Sequence, residues 1–316
     1  MLHWLNVRGK LPRKAMFCAL PDFVFSAPCD TPPATDIGHA AASAMLDIAR
    51  GEWHSSMLNR LQIEHVRLPR ISPHEEPIGI LKRSGRAIRW YPPVADQQCS
   101  LLGAQLEAGE LSINISTGSQ VGMLSDALTF GPYQTRPFFD DRYLLTNIHI
   151  PAGRSLNALL HLLTELAAAE DVRLEHTWAN VERLARAAGP TDLAVDRSFF
   201  AGALGTKGAI MHAREDNLTL GHVFRAAFTS MAENYERFAL GVSPGREWRR
   251  LAFSGGLALQ SALLRELILA RFKCASRLAE GGEDALVGLL AVALRAAGHA
   301  QTVSEARRLI NSSALT

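Results

Sequence analysis

Leu111, Ile113 and Ile115 alternate with Ser112, Asn114 and Ser116, and the alternation stops at Ser116-Thr117-Gly118-Ser119 before an apolar run resumes at Val121. A period of two is that of a strand with one buried face. A small, polar, glycine-bearing break between two such runs predicts a β-hairpin. No other stretch constrains the fold as much, because it requires a sheet with a covered face and a hydroxyl-rich tip at its end. Such a tip can wrap a phosphate: glycine lets the backbone come close, and its N–H groups point at the anion. Asp96 stands just upstream, behind Pro93-Val94-Ala95, where a carboxylate at a strand end suits phosphoryl transfer.

Around the hairpin, helical and strand-like stretches alternate, which makes the class α/β. Helices are expected over Ile37–Arg50, Glu52–Leu61, Asp96–Leu106, Ser155–Glu170, Trp178–Ala188, Thr219–Leu240, Ala258–Phe272 and Asp284–Ala297. Asp96 and Ser155 stand where N-caps would. Strands are expected over Arg86–Val94, Leu128–Pro132, Arg142–His149 and Trp248–Phe253. Prolines 69, 73 and 77 mark a loop region. The chain has 316 residues, room for two domains.

A net charge of +2 gives no electrostatic footing for nucleic acid or a membrane surface. No apolar run approaches a membrane span, and Pro21-Asp22 breaks the one stretch that could pass for a secretory signal. Cys18, Cys29, Cys99 and Cys274 are scattered and form no zinc spacing, so free thiols in a reducing cytoplasm are expected.

Each candidate for chemistry has a plain structural alternative. Asp96 is either a helix cap or a base that takes the proton of an attacking hydroxyl. Thr117 and Gly118 are either a turn or phosphate contacts. Ser254-Gly255-Gly256 is either a tight strand-to-helix turn or the edge of a ligand site. Gln260 follows Gly256 by four residues, and Asn157 follows Gly153 by the same interval. Asp36-Ile37-Gly38 resembles a kinase phosphate loop but follows Pro32-Pro33 and precedes His39-Ala40-Ala41, so it reads as a helix entry. His149, His212 and His222 are isolated and read as structural or exposed.

Taken in order, these runs resemble the FGGY carbohydrate kinases, most closely the sedoheptulokinase-like branch. The likeness is carried by Ala34–Ile48 with Trp53 and Leu58, by Ala95-Asp96-Gln97-Gln98 with Leu102-Gly103-Ala104, and by Asn114–Gln120. It continues through Arg136–Leu144, Gly153–Asn157, Phe199–Ile210, Glu215–Gly221, Ser254-Gly255-Gly256 with Gln260, and Glu283-Asp284 with Gly288. The resemblance implies an actin-like ATPase (ribonuclease H-like) fold of two domains with a cleft between them. Residues 1–105 would be the remainder of the sugar-binding domain and 106–316 the nucleotide-binding domain. It implies ATP and Mg²⁺ as cofactors and a ketose such as sedoheptulose as acceptor. Asp96 would be the base, also touching the sugar. Thr117, Gly118, Gly153, Asn157, Gly256 and Gln260 would hold ATP.

The family's N-terminal Asp-x-Gly-Thr-Thr loop has no counterpart here, so the first domain is expected to be truncated. Gly202-Ala203-Leu204 stands where many relatives carry Gly-x-Arg. A catalytically dead fragment that binds nucleotide or serves as an interaction module is the alternative. Another actin-like ATPase, a chaperone or an acyl kinase, fits less well, because it would not pair Ala95–Gln98 with Asn217–Gly221.

Overall fold

The computed structural model describes residues 1–279 and 283–313. Its first part is built of short pieces: α1 (Leu2–Val7), α2 (Leu20–Ser26), β1 (Ala34–Thr35), α3 (Ile37–Ala41), β2 (Leu46–Asp47), β3 (Glu52–Trp53), α4 (Ser55–Arg60), β4 (Arg70–Ile71), β5 (Gly79–Arg83) and β6 (Arg86–Trp90). β1 and β4 pair in parallel, while β2–β3 and β5–β6 are antiparallel pairs. The expected helix over Ile37–Arg50 is only the five residues of α3. Ser43 ends it by donating its hydroxyl to the Ala40 carbonyl (2.7 Å) and accepting from the Met45 amide (3.1 Å). That local bonding competes with helix and outweighs the alanine propensity. The Glu52–Leu61 segment likewise divides, because His54 Nδ1 caps α4 by accepting from Met57 N at 3.3 Å.

The second part is one six-stranded sheet between two helical layers. Its elements are α5 (Asp96–Gly103), β7 (Glu110–Ile115), β8 (Gly118–Ser125), β9 (Gln134–Pro137), β10 (Tyr143–Pro151), α6 (Gly153–Ala169), α7 (Thr177–Ala188), β11 (Ala194–Asp196), β12 (Ala209–Met211), α8 (Leu220–Val242), β13 (Arg250–Ser254), α9 (Gly256–Gln260), α10 (Ala262–Phe272), β14 (Ala275–Leu278), α11 (Asp284–Ala296) and α12 (Val303–Ser313). The sheet order is β14-β13-β7-β8-β10-β9. The pairs β7–β8, β8–β10 and β10–β9 are antiparallel, and β13 lies parallel to both β7 and β14.

The hairpin forms where the alternation requires it, with Ile115 opposite Ser119 and only Ser116 and Thr117 between the strands. The strand is nevertheless covered on both faces. Leu111, Ile113 and Ile115 are fully buried in one core with Phe224, Phe228 and Met231 of α8 and Leu264 and Ile268 of α10. Across the sheet, Leu124, Leu144 and Ala252 meet Cys99 and Leu102 of α5, Ala291 and Val292 of α11, and Val303 of α12. Ser112 is 5% exposed although it is polar. Alternation here therefore separates two buried environments rather than core from water.

Four further expectations are corrected. The segment Leu128–Pro132 forms no strand; its neighbour Gln134–Pro137 does. There the Ser125 hydroxyl accepts from Ala127 N and donates to Ala127 O, turning the chain early. Ser155 is not the cap of α6, which starts after Ala152; its buried hydroxyl donates to the Arg197 carbonyl at 2.8 Å. The Ala258–Phe272 helix breaks at Ser261, whose Oγ caps the new helix at Leu264 N. A further helix, α12, follows the Asp284–Ala297 segment, the last long helix expected. Its first amides, Val303 N and Ser304 N, donate to the Asp140 carboxylate at 2.8 and 2.9 Å. The four cysteines are free, and no helix among the described residues is long and apolar enough to cross a membrane.

At the base of the sheet Glu110, 3% exposed, receives Arg250 Nε at 2.6 Å from β13 and Arg277 Nη2 at 2.7 Å from β14. One carboxylate thereby ties three adjacent strands. Burial pushes its pKa up, but the hydrogen bonds from Arg277, Glu107 N and Arg250 outweigh this, and the carboxyl titrates below its ordinary 4.5. A depressed folded pKa contributes stability that is complete above the ordinary value and lost as pH falls through the folded one. Glu110→Gln is expected to cost about 2 kcal/mol at neutral pH, below a fully buried pair because both arginines reach solvent. It should also flatten the loss of stability between about pH 5 and pH 3. Urea titrations of both proteins across that range test this.

Candidate functional site

Alternation along β7 sends Leu111, Ile113 and Ile115 to the α8 side, which leaves Asn114 on the opposite face, toward α5. Asn114 Nδ2 donates to Ser254 Oγ at 2.9 Å, joining the ends of β7 and β13. Both residues line a cavity of about 320 Å³ together with Asp96, Gln97, Gln120 and Gly255. Asp96 is not the N-cap of α5. Ala95 takes that position, and Asp96 is the first helical residue, exposed, its Oδ1 accepting among the described residues only its neighbour's amide (Gln97 N, 2.7 Å). The capping reading of Asp96 fails for this reason, and its carboxylate stands at the cavity with acceptor capacity to spare.

A second cavity, about 570 Å³, opens on the other side of the Ser254–Gly256 turn. Thr117, Gly153, Asn157, Gly256 and Gln260 all line it. Gly118 does not: it opens β8 and pairs with Pro151 of β10. The hairpin thus serves both spaces, its strand ends facing the Asp96 cavity and its loop facing the larger one.

The hairpin loop is held by its carbonyls. Gly153 N donates to Ser116 O (3.0 Å) and Arg154 N to Thr117 O (2.9 Å), so the first amides of α6 are spent on the loop. A Cβ on Gly153 would lie 2.7 Å from Ser116 O. Gly153 is therefore needed for the fit of helix to hairpin. Behind the loop, Ser119 Oγ and Tyr235 OH are 2.7 Å apart in a fully buried pair, and burial lifts the Tyr235 phenol to about 12. Arg197, 1% exposed, donates to the Pro151 carbonyl, the strand partner of Gly118.

The two glycines of the 254–256 turn differ. Gly255 has φ +88, and a Cβ there would lie 2.5 Å from Ile115 O, so only glycine fits. Gly256 has nothing within 4 Å of a built Cβ; its missing side chain is open cavity.

Several wall residues escaped the sequence reading. Trp178 gives the larger cavity flat apolar surface, with the buried Phe228 behind it, but in sequence both belong to ordinary amphipathic helices. Glu182 also lines it and caps α10 through Leu263 N at 2.9 Å. Asn114 and Gln120 carried a usable signal, since they are the polar members of the alternation nearest the tip.

The position of α5 is fixed by small residues. A Cβ on Gly103 would lie 1.8 Å from Asp284 O, and one on Gly288 would lie 2.0 Å from Cys99 O. Backbones of α5 and α11 touch there. Burial, with the charges of Asp36 and Asp96, raises the Cys99 thiol to about 12, so it is no nucleophile.

Asp36-Ile37-Gly38 is a helix entry, as expected. Asp36 caps α3 through Gly38 N (2.8 Å) and His39 N (3.3 Å), and its other oxygen lies 3.6 Å from His74 Nδ1. His149 sits at φ 59 within an irregularity of β10, and His222 pairs with the capping Thr219. Neither reaches the cavities. Among the described residues no group of three metal-binding side chains occurs.

No protein-family model matches the chain, and no curated protein matches it by sequence. Solved structures do. The gluconate kinase from Lactobacillus acidophilus aligns with a TM-score of 0.82 at 17% identity, over 97% of this chain and 64% of that one. The xylulose kinase from Rhodospirillum rubrum gives 0.79 at 18%, over 97% and 64%. The Plasmodium falciparum glycerol kinase with ADP gives 0.76 at 14%, over 98% and 64%. The fold is therefore the α/β, two-domain, actin-like ATPase fold, and the chain spans just under two thirds of the length of these structures.

Gly255→Ala is expected to push the end of β7 away from the turn and to lower stability by about 1–3 kcal/mol, the usual cost of overpacking and strain. Thermal unfolding measures this. A melting temperature equal to wild type would contradict the close fit.

Proposed function

We propose that the chain acts in an ATP-dependent carbohydrate kinase, which transfers a phosphoryl group to a hydroxyl of a ketose such as sedoheptulose. One observation carries the reading. Five residues chosen from sequence for nucleotide contact line one cavity, and the residue chosen as base lines the adjoining one across a shared turn and hairpin. The larger cavity has the volume of a typical ligand site. Its fit to a nucleotide rests on Gly256, whose absent side chain leaves backbone open to a phosphate or ring, and on the exposed Trp178, which suits a purine.

In this reading Asp96 accepts the proton of the attacking hydroxyl. Thr117 presents its hydroxyl and backbone to the phosphates on a loop that α6 holds, and Asn157 from the first turns of α6 and Gln260 from the end of α9 offer amides to the nucleotide. Mg²⁺, arriving with ATP, would supply positive charge to offset the negative charge developing on the transferred group. Gly118 is assigned to loop geometry rather than to direct contact. We take residues 1–105 as the sugar-side unit and 106–316 as the nucleotide-side unit, with α5 the element they share. Free thiols accord with a reducing, cytoplasmic setting.

Asp96→Asn is expected to lower phosphoryl transfer by at least about 100-fold while leaving ATP affinity within about twofold. ATP consumption with a panel of ketoses, polyols and sugar acids, alongside nucleotide binding by calorimetry, tests this. Unchanged turnover removes Asp96 from the role. Gly256→Leu is expected to fold normally, because its side chain enters empty space, yet to lose ATP binding by about tenfold or more. Normal binding in that variant would place the nucleotide elsewhere.

A further inference from the structure

Among the described residues, every charged side chain in the walls of the two cavities is acidic: Glu182 in the larger one, and Asp96, Glu283 and Asp284 in the other. A polyphosphate placed there meets no cation in the wall. The exposed Arg154, on the first turn of α6, lays its guanidinium over the Phe200 ring, 4.2 Å from the centre.

A cation does lie beneath the loop, out of reach of water. The Arg197 side chain is tied to both flanks of the hairpin tip. Its guanidinium donates to the Pro151 carbonyl, and Pro151 pairs with Gly118 in the sheet. Its own carbonyl accepts the Ser155 hydroxyl of α6. Tyr235, whose phenol pairs with Ser119, stands within the field of its charge. Thr117 adjoins Gly118, and Gly153 follows Pro151 by two residues, so the guanidinium underlies the part of the loop and of α6 that faces the larger cavity.

The charge is not neutralised by a bonded partner. Among the described residues Nε and Nη2 of Arg197 have no hydrogen-bond partner, and the one contact of Nη1 is to a neutral carbonyl. The adjacent Asp196 gives its Oδ1 to Ser198 N at 2.9 Å. Burial lowers the Arg197 pKa only to about 10, which leaves the group charged at neutral pH. An unpaired buried cation with two idle donors destabilises a fold, and an apolar side chain of the same reach would be less costly. A neutral donor would meet Pro151 O equally well. What a cation alone supplies is a field, which a low-dielectric interior transmits with little screening.

We propose that Arg197 is a specificity-determining residue that acts by its charge from beneath the loop, making the larger cavity select nucleotides by the charge of their phosphate chain. This rests on the kinase reading and adds a source of positive charge that the cavity walls lack.

The test is calorimetric titration of this chain with adenosine, ADP and ATP in the presence of Mg²⁺, adenosine being measured by displacement. Arg197→Met, uncharged and of similar length, is expected to lose about tenfold in ATP affinity, the order of one charge acting through a protein interior, and less in ADP affinity. Its adenosine affinity should stay within about twofold of wild type. Arg197→Lys keeps the charge and should restore most of the ATP affinity. Equal losses for all three ligands in Arg197→Met, as a distorted cavity would give, or wild-type ATP affinity in that variant, would overturn the inference. Should Arg197→Met fail to fold, the wild-type chain decides. Raising KCl from about 0.1 to about 0.5 M should reduce its preference for ATP over adenosine by less than about fivefold, because counter-ions do not reach a buried charge. A larger fall would assign the selection to surface cations and overturn the inference. Failure of the wild-type chain to bind ATP would instead count against the kinase reading itself.

Discussion

Two hydrogen bonds, from Gly153 N to Ser116 O and from Arg154 N to Thr117 O, fix the position of everything else around the cavities. They pair the loop's two carbonyls with the first two amides of α6. The loop is then closed from the far side by Gly255, which sits against Ile115 O with no room for a methyl. A two-residue loop held on both flanks can present hydroxyls and amides to a ligand without ordering itself first, and preorganisation of that kind limits the cost of binding.

The same economy governs the sheet. β7 lies between β8 and β13, covered on both faces, and the charges of Glu110, Arg250 and Arg277 are confined to one end, away from the hairpin loop. At the other end only small polar groups remain: Asn114, Ser254, and the loop. Ionic pairing sets register at one end, and the other end is left free for ligand chemistry.

How much of this was legible follows from the range of each signal. The hairpin, α7, α8 and the turn at 254–256 depend on local periodicity and glycine placement, and the sequence reading located all of them. The convergence of Thr117, Gly153, Asn157, Gly256 and Gln260 was legible only as a set, through spacing and family likeness. For Asp96 the capping alternative was misleading, because a carboxylate one residue inside a helix looks in sequence like a cap. Failures arose where a serine hydroxyl took up a backbone partner: Ser43 cut an alanine-rich helix short, Ser261 divided another, and Ser155 turned inward to Arg197. Trp178, Glu182 and the buried Arg197 depend on contacts between distant segments, which no periodicity encodes.

The glycine contact between α5 and α11 has a consequence for movement. With backbone against backbone at Gly103 and Gly288, the helix that carries Asp96 can neither slide nor roll on the sheet layer without opening a gap. On the proposed chemistry, the gap between base and phosphate is then a fixed gauge, and the travelling part is the sugar.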